Sequence, residues 1–146
     1  MINQQNTLVL AAIFPVAVVK NTAFASQVID TAGASYAEFH VILGATTASA
    51  TVFKVQEADA KTNATTLTGG TDVKDLTVKP GVTDGSKVWV VGVDLKKPRK
   101  RFLQLQVTAG NESGAGMFLA ATCELSRLNV AGSSAADRGV ADAEYA

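Results

Sequence analysis

The sequence contains very few of the side chains that usually perform catalysis or bind metals. It has one cysteine, Cys123, and one histidine, His40. A single cysteine excludes an internal disulfide framework and a multi-cysteine zinc site. His40 shares a strand face with Glu38, but two residues are too few to hold a metal, and no base lies near Cys123 in the sequence. We therefore predict no catalytic, cofactor-binding or metal site and no enzyme activity. An enzyme using Glu38, His40 or Cys123 is a remote alternative.

Charge is also scarce. Charged residues make up 18% of the chain, below the roughly 25% typical of soluble domains. Lysine plus arginine and aspartate plus glutamate each total 13, so the net charge is zero. No overall positive field is therefore present to gather nucleic acid. Hydrophobic residues reach 47% and the mean hydropathy is +0.19, so little repulsion opposes self-association. We predict a homo-oligomer; a monomer rich in alanine and threonine is the alternative.

The N-terminal region lacks two features of a signal peptide or membrane span. Leu8 to Val19 is an apolar run, and Ala23-Phe24-Ala25 imitates a cleavage site. However, Met1 to Thr7 carries no lysine or arginine, and Pro15 interrupts the run. The run is also far shorter than the roughly 20 residues needed to cross a bilayer. We predict a β-strand here and no membrane partner, with a secreted protein as the minor alternative.

Alternation of apolar and polar residues is the main structural signal that is present. On the strand beginning at Tyr36, for example, Ala37, Phe39, Val41 and Leu43 are predicted to face inward. Similar patterns predict strands over Leu8–Phe14, Ser26–Asp30, Tyr36–Leu43, Thr51–Glu57, Val73–Val78, Lys87–Leu95, Phe102–Thr108 and Met117–Leu128. No helical period persists. The chain is predicted to be all-β, a single β-sandwich or jelly-roll-like domain with extended N- and C-terminal segments.

Three segments carry more specific predictions. Lys87–Leu95 is apolar on both faces, which favours a central strand or a strand whose second face is covered. Ala58–Thr71 is polar, threonine-rich and interrupted by glycine, which predicts an exposed loop. Residues 129–146 are rich in alanine, glycine and serine. They divide the chain into a domain over 1–128 and a tail over 129–146, which is either a frayed end or an arm that binds a neighbour through Tyr145.

One cluster of cations lies between two predicted strands. It comprises Lys96, Lys97, Arg99, Lys100 and Arg101. Such a cluster could bind phosphate or an acidic protein surface. It lacks the interleaved aromatic side chains that stack on bases, so nucleic acid is the least favoured partner. The alternative is a solvated corner whose charges discourage pairing between sheet edges.

Several segments resemble, in this order, proteins encoded among the head genes of tailed phages and prophages. The segments are Ile29–Gly33, Phe39–Thr46, Phe53–Asp59, Val93–Leu95, Arg99–Leu105 and Val107–Asn111. The chain from Asp30 to Leu128 thus resembles the capsid decoration, or cement, protein family. The tail after Asn129 lies outside the resemblance.

The resemblance implies a structural virion protein. It implies a β-sandwich subunit that binds the outer surface of a phage head as a homotrimer, with the major capsid protein as its partner, and that is made in the host cytoplasm. A phage fibre or receptor- or carbohydrate-binding module is the alternative, since jelly rolls also serve that role. Sugar sites favour exposed aromatic residues, and with Trp89 on a core-like strand only Tyr36 and Tyr145 are candidates.

Overall fold

A computed structural model of the protein describes residues 6–128. Most of Met1 to Thr7 and the whole of 129–146, including Tyr145, lie outside the described residues. The described chain forms ten strands: β1 Thr7–Ile13, β2 Val28–Asp30, β3 Tyr36–Thr46, β4 Ala50–Ala58, β5 Ala60–Asn63, β6 Thr66–Thr68, β7 Thr71–Asp75, β8 Val88–Asp94, β9 Phe102–Ala109 and β10 Met117–Ser126.

Eight of these strands form two four-stranded antiparallel sheets. Sheet 1 has the order β1-β10-β3-β8, and sheet 2 has the order β2-β9-β4-β7. Consecutive strands alternate between the sheets except at β4 and β7, which are neighbours in sheet 2 and are separated along the chain by the β5–β6 hairpin. This strand order is that of a jelly roll, built from two Greek keys. The predicted all-β, jelly-roll-like domain is confirmed.

The two sheets enclose one hydrophobic core, which their inward-facing residues fill. Every second residue of β10, and of β3 from Ala37 to Leu43, is buried, as the alternation predicted. Phe39 from sheet 1 and Phe53 from sheet 2 are fully buried. The other large side chains that are fully buried are Ile13, Val41, Leu43, Val55, Leu103, Leu105, Val107, Met117, Leu119 and Leu125. Burial of this apolar area is the main stabilising term of the fold.

The prediction that Ala58–Thr71 forms a loop is wrong. Its residues form the exposed β5–β6 hairpin, in which Asn63 Oδ1 accepts a 2.8 Å hydrogen bond from the Thr65 amide. The buried Gln104 holds the hairpin against sheet 2, because its Nε2 donates to the Ser26 and Thr65 carbonyl oxygens. The residues of β5 are all exposed, so no alternation of apolar residues marks the strand in the sequence.

Of the two alternatives predicted for the Lys87–Leu95 strand, a central position or a covered second face, the central position is wrong. The core of this strand forms β8, which pairs only with β3 and stands at one end of sheet 1 among the residues that the structure describes. The strand predicted over Val73–Val78 corresponds in part to β7, which covers Thr71–Asp75 and stands at one end of sheet 2 among the described residues. The sandwich is therefore bounded on one side by two edge strands, β7 and β8.

Candidate interaction surfaces

The outer face of sheet 1 carries a row of exposed aliphatic side chains. Ile42 pairs with Val88 across β3 and β8, and the next outward pair is His40 with Val90. Ile42, Val88 and Val90 are 53%, 59% and 56% exposed. We refer to these three residues as the apolar strip. Single exposed aliphatic residues are ordinary, but adjacent ones on a flat sheet form a patch of the kind that marks interaction sites.

Two aromatic rings extend the apolar character of this outer face. Tyr36 lies across Gly92 of β8, and Phe118 lies across Gly44 of β3. A side chain at either glycine would meet the ring that covers it, so the ring would have to move to make room. Covering a strand glycine with a neighbouring aromatic ring compensates for the side chain that the glycine lacks. These contacts fix the shape of the face at both ends of the apolar strip.

His40 and Glu38 lie on the same outer face. His40 Nε2 is 2.8 Å from Glu38 Oε1, although the angle of approach does not satisfy a hydrogen bond. Over residues 6–128 no group of three or more histidine, cysteine, aspartate or glutamate side chains is placed to hold a metal ion. The two polar side chains of this pair therefore lie beside the apolar strip on the same face of the sheet.

Cys123 lies on the opposite, inward face of sheet 1. It is buried in the core. Burial raises the pKa of its thiol to about 12, so the thiol stays protonated at neutral pH. A protonated, enclosed thiol is neither a nucleophile nor a metal ligand.

The predicted basic cluster forms a corner between β8 and β9, and its best-held member is Arg101. Arg101 Nε and a terminal guanidinium nitrogen donate to the two carboxylate oxygens of Asp30, at 2.9 and 2.7 Å. This two-pronged pair joins the end of β2 to the start of β9 and is a strong geometry for an ion pair. The Arg101 guanidinium also lies 5.1 Å from the centre of the Phe102 ring. Arg101 is therefore engaged within the chain.

The cations of the corner are divided among three concavities of the surface. Lys97 and Arg99 line a cleft beside β8, and Arg99 also lines a hollow with Thr31, Lys100 and Arg101. Lys96 lines a third hollow on the other side. The ion pairs found within residues 6–128 include Arg101 but none of the other four cations. The structure thus brings Arg99, Lys100 and Arg101 to one hollow, but it does not bring all five cations to one concave site.

The cleft beside β8 was not predicted from the sequence. It has a volume of about 580 Å³ and opens between the two edge strands β7 and β8. Its apolar lining includes Val73 and Leu76 on one side and Trp89 and Val91 on the other. The Trp89 ring meets Phe53 edge to face, with ring centres 5.7 Å apart. The apolar character of both faces of the Lys87–Leu95 segment was the signal of this cleft, since one face of β8 lines the cleft and the other carries the apolar strip.

The Asp30–Arg101 pair gives a testable pH dependence. The hydrogen bond from Arg101 is the main cause that lowers the pKa of Asp30 below its ordinary value of 3.8. Because the folded state favours the ionised carboxylate, Asp30 stabilises the folded protein at pH values above the unfolded-state pKa. This stabilisation is lost as the pH falls through the folded-state pKa. We expect Asp30→Asn to lower the melting temperature at pH 7 and the difference from the unaltered protein to close below about pH 3.8.

The matched control for that experiment is Asp59→Asn. Asp59 is exposed and takes part in none of the ion pairs found over residues 6–128. We expect its melting temperature to follow that of the unaltered protein across the pH series. A difference for Asp30→Asn that stays constant down to pH 2 would contradict the role of the charged carboxylate.

Comparison with known proteins adds no family assignment: no protein-family model and no curated protein matches the chain. Over the described part of the chain, no helix is both long and apolar enough to span a membrane.

Proposed function

We propose that this protein is a structural virion protein, a capsid decoration subunit that binds the outer surface of a tailed-phage head. The observation that carries the proposal is the apolar strip, a patch of aliphatic residues that the jelly roll leaves uncovered within a single chain. Such a patch is expected to pack against a neighbouring copy of the chain. The fold is also one that viral structural domains use, and the sequence segments described above resemble decoration proteins.

The proposed mechanism is clamping by many weak contacts. A homotrimer would place three capsid-binding surfaces on one local three-fold position, so each contact after the first forms at high effective concentration. Lys96 and Lys100, which form no ion pair within residues 6–128, would face acidic groups of the major capsid protein. No bond is made or broken in such a role, and the subunit would stabilise the head by adding contacts across the seams between capsomers.

The proposal is tested with purified protein and preformed, expanded capsids of the tailed phage or prophage that encodes it. We expect light scattering to give the mass of a small oligomer, and we expect the protein to sediment with the capsids at micromolar concentration. High salt should weaken the binding if the basic corner contributes, because exposed charge pairs are screened. A protein that stays monomeric and remains in the supernatant would contradict the proposal.

A carbohydrate-binding module is the second candidate, and one observation favours it. Trp89 and Tyr36 both line the cleft beside β8, whereas the sequence pattern had placed Trp89 in the core. Aromatic rings in an open cleft are suitable platforms for sugars. Binding to a glycan array that is lost in Trp89→Ala would favour this candidate over capsid decoration.

A further inference from the structure

The cleft between β7 and β8 has the features of a binding site for an extended polypeptide segment. Its walls are apolar, and they stand where neither sheet has a further strand among residues 6–128. The outer edge of β8 offers backbone amides and carbonyls that an added segment could pair with. An occupant would therefore need some apolar side chains, an ability to lie extended, and a charge that suits the rim.

The rim of the cleft is mainly positive. Lys74, Lys97 and Arg99 line it, and Asp94 is the one acidic residue among the lining side chains. The Asp94 carboxylate accepts a 3.0 Å hydrogen bond from the Lys96 amide, so it is partly engaged by its own turn. The complementary occupant is an acidic segment with a few apolar residues.

The segment 129–146 of this chain has that composition. It contains three acidic residues, Asp137, Asp142 and Glu144, against one basic residue, Arg138. In its last part the acidic residues alternate with small or aromatic ones, in the order Ala141, Asp142, Ala143, Glu144, Tyr145. In an extended segment such alternation directs the acidic side chains to one face and the apolar ones to the other.

The described chain also ends beside the cleft. Ser126 and Arg127 line a hollow together with Tyr36 and Asp94, and the same Tyr36 and Asp94 line the cleft. The segment after Leu128 thus starts at one end of the cleft. At about 3.3 Å per extended residue it can reach roughly 60 Å, more than twice the length of β8.

We propose that the cleft between β7 and β8 binds the segment 129–146 of the same polypeptide. Tyr145 and the alanines contact the apolar lining, and Asp142 and Glu144 face Lys97 and Arg99. This intramolecular site does not depend on the capsid role, because it concerns the isolated subunit. Both experiments below are therefore done without capsids.

The first experiment uses Trp89, the only tryptophan of the chain, which lines the cleft. In the full chain carrying Asp142→Lys and Glu144→Lys, we expect acrylamide to quench the fluorescence at least about twofold more efficiently, because repulsion from the rim uncovers the ring. Adding Lys97→Glu and Arg99→Glu should restore the original quenching. Lys20→Glu, remote from the cleft, is the control and should change nothing. Unchanged quenching in the Asp142/Glu144 variant would overturn the proposal.

The second experiment separates binding within one chain from exchange between chains. The full chain with Thr77→Cys, in the cleft, and Ala143→Cys is oxidised, while the native Cys123 stays buried. We expect a disulfide within one polypeptide, seen as a monomer band of altered mobility. The control pairs Ala143→Cys with Thr83→Cys, since Thr83 is an exposed threonine outside the cleft lining. Disulfide-linked dimers as the main product, or equal cross-linking in the control, would overturn the proposal.

Discussion

Phe39→Ala is expected to lower the free energy of unfolding by about 3–5 kcal/mol, the usual cost of truncating a fully buried phenylalanine. Phe39 lies on the inward face of β3, the third strand of sheet 1, and its side chain has no exposed surface. β3 pairs with both β8 and β10, so the backbone around the cavity has little freedom to collapse. Urea denaturation followed by circular dichroism measures the change, which is large against the total stability of a typical domain.

Phe14→Ala is the matched control, because it removes the same side chain from a surface position. Phe14 follows β1 and is 55% exposed. We expect the free energy of unfolding of the isolated subunit to change by no more than about 0.5 kcal/mol. A loss for Phe14→Ala as large as that for Phe39→Ala would show that the core does not lie where the two sheets face each other.

Under the proposed decoration role, Val88→Glu is expected to dissociate the oligomer and to weaken capsid binding by at least about 100-fold through the loss of multivalency. Val88 stands in the apolar strip opposite Ile42 and is largely exposed in the single chain. A glutamate there stays hydrated in the free subunit, so the fold should be kept. In an interface, however, it would be a buried charge without a partner, which is strongly destabilising. Sedimentation velocity and co-sedimentation with expanded capsids measure the two effects.

The control for the apolar strip is a glutamate on the other side of the molecule. Thr66 lies in the exposed β5–β6 hairpin, so Thr66→Glu adds the same charge away from the strip. We expect this variant to assemble and bind like the unaltered protein. If Val88→Glu still forms the full oligomer, the apolar strip is not the face between copies and the proposed assembly is wrong.

The strands of the core could be predicted well from the sequence, because apolar and polar residues alternate along a strand that is buried on one face only. The inward series Ala37, Phe39, Val41 and Leu43 is buried as predicted. The β5–β6 hairpin could not be predicted in the same way. It is held by contacts from the distant Gln104, and its exposed threonines carry no apolar period.

Predicting the interaction surfaces from the sequence was harder, since they depend on which strands meet. The basic cluster was visible as a run of cations, but the partner of Arg101 is Asp30, which is 71 residues away along the chain. The position of β8 at an edge follows from the order of strands in the sheet rather than from its own residues, which are apolar on both faces. The cleft is the hardest of these features to predict from the sequence, because it forms only where two edge strands from different sheets stand side by side.

The burial of Cys123 has a consequence for how the protein tolerates a change of surroundings. It is the only sulfhydryl group of the polypeptide, and the two sheets close over it. A disulfide therefore cannot join two folded copies of the chain, whether the medium is reducing or oxidising. Any contact made between copies stays non-covalent and reversible.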